Sequence, residues 1–147
     1  MTTTDQDTLE LGFCGSVRDA FSYLSEFGFE ESSSGTLSVQ GSDCGVEVTF
    51  AKLDWEIAVF YVRFEFALDI SITHAGRNYS LFELISALDP ENARNFRQIT
   101  ASNAREASLG LKALSEQLKK YGKDALVGDP HIVTMLENAR QEFQRKM

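Results

Sequence analysis

The chain has 147 residues and is 43% hydrophobic, which predicts one domain (1–147) that can bury a core without disulfides. Charged residues make up an ordinary 24%, so disorder is excluded as its main description. Its apolar runs are shorter than the roughly 18 residues of a membrane helix, and its polar start lacks a secretory signal. We therefore expect a cytoplasmic protein that does not associate with membranes.

The acidic charge is concentrated in the first part of the chain. Residues 1–89 carry fifteen acids and four bases, a net charge of −11, whereas residues 90–147 carry seven acids and ten bases, a net charge of +3. A negative field repels phosphate backbones and speeds the encounter with a basic protein. The charge thus disfavours nucleic acid as a partner and favours a basic protein. The alternative that the charge serves solubility alone stays open.

The first predicted elements are an arm and a helix. Residues 1–12 have little to bury and are expected to form a flexible arm. Ser16 is the predicted N-cap of a helix over 16–27, where apolar residues recur at helical spacing. Gly28 then ends this helix, as glycine commonly does.

Alternating patterns predict the sheet. Period-two alternation over 36–40 and 46–50 indicates two strands joined by the turn cluster 41–45. Residues 55–64 carry apolar side chains on both faces, which is typical of a strand that is central or covered on both sides. With a further strand over 68–72, the pattern predicts an antiparallel sheet of three to four strands.

From Tyr79 onwards the spacing of apolar residues is helical. Ser80 and Glu83 predict a capping box at the start of this half. We expect helices over 80–88, 90–99, 103–121 and from about 130 to 143. The predicted fold class is α+β: an N-terminal helix, an antiparallel sheet, and a helical C-terminal half packed on the sheet.

The sequence contains no motif for catalysis or for nucleotide binding. It lacks GxxxxGK[ST], GxGxxG and GxSxG, and its two histidines and two cysteines do not have metal-ligand spacing. We therefore predict no catalytic residue, no cofactor and no metal. Glu56, Glu65 and Asp69 are carboxylates that a sheet could bring together for acid–base chemistry, but a solvated rim is the favoured interpretation.

The predicted functional surface is the hairpin Val46–Tyr61. Trp55 is its aromatic anchor, because buried tryptophans carry a large share of interface energy, with the alternative that this side chain belongs to the core. Acidic residues would steer a basic partner towards the hairpin. Four acids form this charged rim: Asp43, Glu47, Asp54 and Glu56.

The order of elements and their motifs resembles a known class of proteins. The sequence has a helix, a short Ser/Gly loop, GVEVTF at 45–50, WEIAV at 55–59 and YSLFEL at 79–84. This order, over residues 13–88, resembles small acidic bacterial proteins of unassigned function, some of which are similar to immunity proteins of contact-delivered toxins. The resemblance implies a protein-binding role and assigns no active-site residue.

Three classes of function remain open from the sequence. The favoured one is a non-enzymatic binding module, such as an immunity-type inhibitor of a basic toxin. Acidic effector chaperones of type III secretion are similar in outline, but they usually return to strands after a central helix, which this sequence does not predict. The second is a small ligand-binding or enzymatic domain. The third is a subunit that forms a homodimer through a sheet edge or through the leucine seam of the predicted helix 103–121, which contains Leu111, Leu114 and Leu118.

Overall fold

The computed structural model describes residues 4–145, which form six strands and six α-helices. In chain order these elements are α1 (Asp5–Ala20), β1 (Glu30–Val39), β2 (Ser42–Lys52), β3 (Trp55–Val62), β4 (Ala67–His74), β5 (Arg77–Ser80), α2 (Leu81–Leu88), α3 (Pro90–Ala93), β6 (Ile99–Thr100), α4 (Ala104–Tyr121), α5 (Lys123–Leu126) and α6 (His131–Arg145). Two 3₁₀ helices, Ser22–Phe27 and Arg63–Glu65, precede β1 and β4. None of the helices within residues 4–145 is long and apolar enough to cross a membrane.

The strands form one antiparallel sheet in the order β1-β2-β3-β4-β5, and β6 pairs with β4 beside β5. The predicted combination of an N-terminal helix and an antiparallel sheet is therefore confirmed. The predicted number of three to four strands is wrong, because β5 and β6 were missed. These strands have only four and two residues, and their pairing with β4 rather than a local alternating pattern defines them.

The two faces of the sheet have different surroundings. On one face, Val48, Val59 and Ile70 lie opposite one another and are fully buried. They belong to one hydrophobic core that also contains apolar residues of α1, α2, α4 and α6. On the other face most side chains are partly or fully exposed. We call this the open face and define it by Glu47, Thr49, Ala51, Glu56, Ala58, Phe60, Val62, Asp69, Ser71 and Thr73.

The N-terminal helix begins earlier than expected. Within the predicted arm 1–12, residues 5–12 are the first part of α1, so the expectation of a flexible arm is wrong for them; residues 1–3 lie outside the described part of the chain. Thr4 caps α1 through a capping box with Asp7. Leu9 follows at helical spacing from Phe13, and both are buried. The polar composition of the first residues concealed this stripe.

The first helical segment also ends at a different residue from the one expected. α1 stops at Ala20, and a 3₁₀ helix continues to Phe27, where one helix over 16–27 was expected. Gly28 adopts φ 89°, and the N–H groups of Gly28 and Phe29 donate to carbonyls in the preceding turn. This is a Schellman ending, so the predicted glycine stop is confirmed.

β1 includes residues that were expected to form a loop. The Ser/Gly run 32–35 lies within this edge strand, and all its members are exposed. Serine and glycine have weak strand propensity, so pairing with β2 determines the conformation. The predicted helix over 90–99 is likewise shorter, because α3 ends at Ala93 and β6 follows.

The predicted capping box at α2 is confirmed, and its Glu83 also pairs with the last helix. The hydroxyl of Ser80 accepts from the N–H of Glu83, whose carboxylate accepts from the N–H of Ser80. The guanidinium of Arg140 on α6 donates to both oxygens of Glu83, at 2.6 and 2.9 Å. This pairing lowers the pKa of Glu83 and fixes α6 beside α2.

Replacing Leu9 tests whether α1 is part of the core. Leu9 is 1% exposed, so Leu9→Ala is expected to lower the free energy of unfolding by about 2–5 kcal/mol. Leu11, on the same helix, is 83% exposed, and Leu11→Ala should change it by no more than about 0.5 kcal/mol. Urea titration followed by circular dichroism measures both. Equal, small losses would show that the helix is not docked.

Candidate functional site

The candidate site is the open face, and its centre is a row of three side chains across the sheet. Phe60 on β3 lies opposite Glu47 on β2 and opposite Asp69 on β4. Directly opposed residues in antiparallel strands lie about 4.5–5.5 Å apart, so an aromatic ring stands between two carboxylates. We call Glu47, Phe60 and Asp69 the acidic–aromatic row.

The neighbouring rows are built from small side chains. Thr49, Ala58 and Ser71 lie opposite one another in the next row towards the β2–β3 turn. Phe60 is therefore the largest side chain of the open face, and together with Val62 it makes a partly exposed apolar patch. These two residues explain the apolar pattern on both faces of β3: the strand is central, but only one of its faces is covered.

The open face has acidic groups and no basic one. Glu47, Glu56 and Asp69 form no ion pair with any lysine, arginine or histidine of residues 4–145. Asp69 is more buried than a surface carboxylate usually is. This burial raises its pKa, although hydrogen bonds from the Ile70 backbone and the Gln98 side chain oppose the shift. The face therefore holds a carboxylate that is poorly solvated and has no cation beside it.

The structure separates the five predicted site residues. Glu47 and Glu56 lie on the open face, whereas Asp43 and Asp54 lie at opposite ends of the sheet. Asp43 accepts a hydrogen bond from Arg63 at 3.0 Å, so part of its charge is compensated within the chain. The predicted surface is thus a face of the sheet with acids at its edges, and the role of these residues in binding stays a prediction.

Trp55 and Asp54 form a small cluster with His74. Trp55 is 4% exposed and faces the core, which is the alternative that the sequence left open. Its ring lies 4.2 Å from that of His74, and the Nε2 of His74 is 3.3 Å from a carboxylate oxygen of Asp54. An exposed anchor at Trp55 is therefore incompatible with the structure.

Phe60 and Asp69 are the site residues that sequence reasoning missed as parts of a binding surface. From the sequence, Asp69 is interpreted as a carboxylate of a solvated rim in preference to an acid–base group, and Phe60 lies within the predicted hairpin Val46–Tyr61 without being named as a site residue. The missing information was the register that places both beside Glu47. Local alternation shows that two residues share a face of a strand, but not which residues of other strands lie opposite.

The described residues support an enzymatic site less well than they support a binding surface on the open face. Within residues 4–145 there is no group of three or more histidine, cysteine, aspartate or glutamate side chains placed to hold a metal ion. A cleft of about 290 Å³ lies between α1, the first 3₁₀ helix and β1. Its floor includes Phe21, Leu24 and Phe29, which are almost fully buried, and the ion pair between Arg18 and Glu31 lies at its rim. The cleft therefore exposes little apolar surface.

Comparisons with known proteins add no assignment to this geometry. Protein-family models, curated proteins and solved structures gave no match to the chain. The functional interpretation therefore depends on the residues and contacts described above.

The environment of Trp55 can be measured directly. Because this single tryptophan is buried, its fluorescence should be blue-shifted in the folded protein and resistant to quenching by iodide. The urea-unfolded chain provides the control and should show a red-shifted, readily quenched signal. Strong quenching in the folded protein would place Trp55 at the surface and contradict the structure.

The buried carboxylate of Asp69 should reduce stability at neutral pH. Since its pKa is raised in the folded state, its ionisation opposes folding, and stability falls as the pH rises through that raised value. Asp69→Asn is therefore expected to raise the urea midpoint at pH 7, with the gain disappearing well below the ordinary pKa of 3.8, where the carboxyl is protonated in both states. Glu142→Gln, at an exposed position on α6, is the control and should leave the midpoint unchanged. A lower midpoint for Asp69→Asn at pH 7 would contradict this account.

Proposed function

We propose that the chain is a non-enzymatic, cytoplasmic protein-binding module that uses the open face to bind a basic protein. The observation that carries this proposal is a partly exposed apolar pair, Phe60 and Val62, beside carboxylates that have no ion-pair partner within residues 4–145. A partner that covers the patch would bury apolar area, and its basic groups would compensate Glu47 and Asp69.

The charge distribution supports the same class of partner. Helix α1 and strands β1 to β5 belong to the part of the chain with a net charge of −11. Such a field speeds the encounter with a positively charged surface and weakens with salt. An immunity-type inhibitor that blocks a basic toxin is the favoured role, because inhibition by coverage requires a surface and no catalytic group.

The effector chaperone is the alternative within the same class, and the two roles share the requirement for a protein partner. Genes beside this one distinguish them: a toxin-like reading frame supports the immunity role, and secretion genes support the chaperone role. A ligand-binding domain has less support, because the cleft beside β1 has an almost fully buried floor.

A site-specific cross-linking experiment tests the proposal. A photo-activatable phenylalanine analogue is placed at Ala58, in the centre of the open face, and in a second variant at Ser108, an exposed position on α4. In the source cell we expect a cross-linked protein at Ala58 that is absent at Ser108. The captured protein is identified, purified and tested for binding by calorimetry.

The purified partner then permits a quantitative test of charge. Its affinity should fall as salt is raised, and Glu56→Lys should weaken binding by about tenfold or more, equivalent to about 1.4 kcal/mol. Glu142→Lys makes the same change of charge away from the open face and should have a smaller effect. Equal cross-linking at Ser108, or equal effects of the two reversals, would contradict binding through the open face.

A further inference from the structure

The acidic–aromatic row has the composition of a receptor for one cationic side chain. Glu47 and Asp69 lie on either side of Phe60, each directly opposite it across a strand pair. With a strand spacing of about 4.8 Å, the backbones that carry the two carboxylates are about 9.6 Å apart. A planar cation lying over the ring between them is within reach of both carboxylates.

We infer that the basic partner inserts an arginine over Phe60, between Glu47 and Asp69. This inference rests on the proposed function and names the chemistry that its surface recognises. Guanidinium is the group that fits best, because it stacks on an aromatic face and offers donors in several directions within one plane. The ammonium of lysine is a compact charge and does not present such a fork to two carboxylates.

The surroundings of the row supply the complementary charge and the room for an incoming side chain. No basic residue of the described chain pairs with Glu47 or Asp69, so their charges are available to a partner. Ala58 and Ser71 in the adjacent row are short, and Phe60 itself is partly exposed. The raised pKa of Asp69 is consistent with this role, because a bound cation would relieve the unfavourable burial of its charge.

A peptide titration tests the row without a known partner. The probe is acetyl-Gly-Arg-Gly-amide, added to the ¹⁵N-labelled full chain and followed by the amide resonances of the open face. Two matched peptides carry lysine or citrulline in place of arginine, and citrulline keeps the shape of the side chain without the charge. We expect saturable shifts at residues 47, 60 and 69 with the arginine peptide, weaker binding with lysine, and no saturable shifts with citrulline.

Three variants determine whether the row is responsible. Phe60→Leu and Asp69→Asn should each weaken binding of the arginine peptide at least about fivefold, which corresponds to about 1 kcal/mol. Glu142→Gln removes a charge at an exposed position of α6, outside the open face, and should leave the affinity unchanged. Circular dichroism melting confirms that each variant is folded before titration.

The remaining outcomes overturn either the inference or the proposed function. Equal shifts with the citrulline peptide would show that charge is not recognised, and equal affinity for lysine would remove the assignment to arginine. Equal affinities of wild type, Phe60→Leu and Asp69→Asn would locate binding elsewhere. If a captured partner binds through the open face but is insensitive to these two variants, the inference fails and the proposed function stands. If the peptide binds the row but no protein is captured at Ala58, the proposed function fails and the cation site stands.

Discussion

One constraint underlies this structure: the helices of the core cover only one face of the central strand, β3. Val59 and Tyr61 of β3 contribute to a core that α1, α2, α4 and α6 complete on one side. Ala58 and Phe60 lie on the other side, where the described chain supplies no helix. A strand with apolar residues on both faces therefore has one face satisfied within the chain and one that remains partly exposed to solvent. The functional proposal follows from that imbalance.

The acidic residues of the chain are also divided, into those that form ion pairs and those on the open face that do not. Arg63 pairs with Glu10 and Asp43 at one end of the sheet, and Arg140 pairs with Glu83 where α6 meets α2. These pairs join elements that are far apart in sequence, and they compensate part of the acidic charge of the first 89 residues. The acids of the open face have no such partner among residues 4–145. These acids can meet an external cation because the basic residues of the described chain lie elsewhere. The total charge alone does not show this.

Local signals in the sequence predicted several elements correctly, each for a physical reason that operates over a few residues. The capping box at Ser80 and Glu83, the glycine stop at Gly28 and the helix that begins after Asn103 all depend on hydrogen bonds between near neighbours. The flexible arm over residues 1–12 was wrong for residues 5–12, although the Thr4–Asp7 capping box and the buried Leu9 are also local features. The polar composition of the first seven residues masks this spacing in the sequence.

The sequence by itself determined the α+β class, the acidic first part of the chain and the alternation of β2, β3 and β4, because these follow from composition and from periods of two or 3.6 residues. Only the tertiary structure decided that Trp55 is in the core, that β5 and β6 exist, and that Glu47, Phe60 and Asp69 form one row. The reason is that register and burial depend on contacts between residues far apart in the chain. A period of two shows that side chains alternate, but the packing of helices selects the face that they cover.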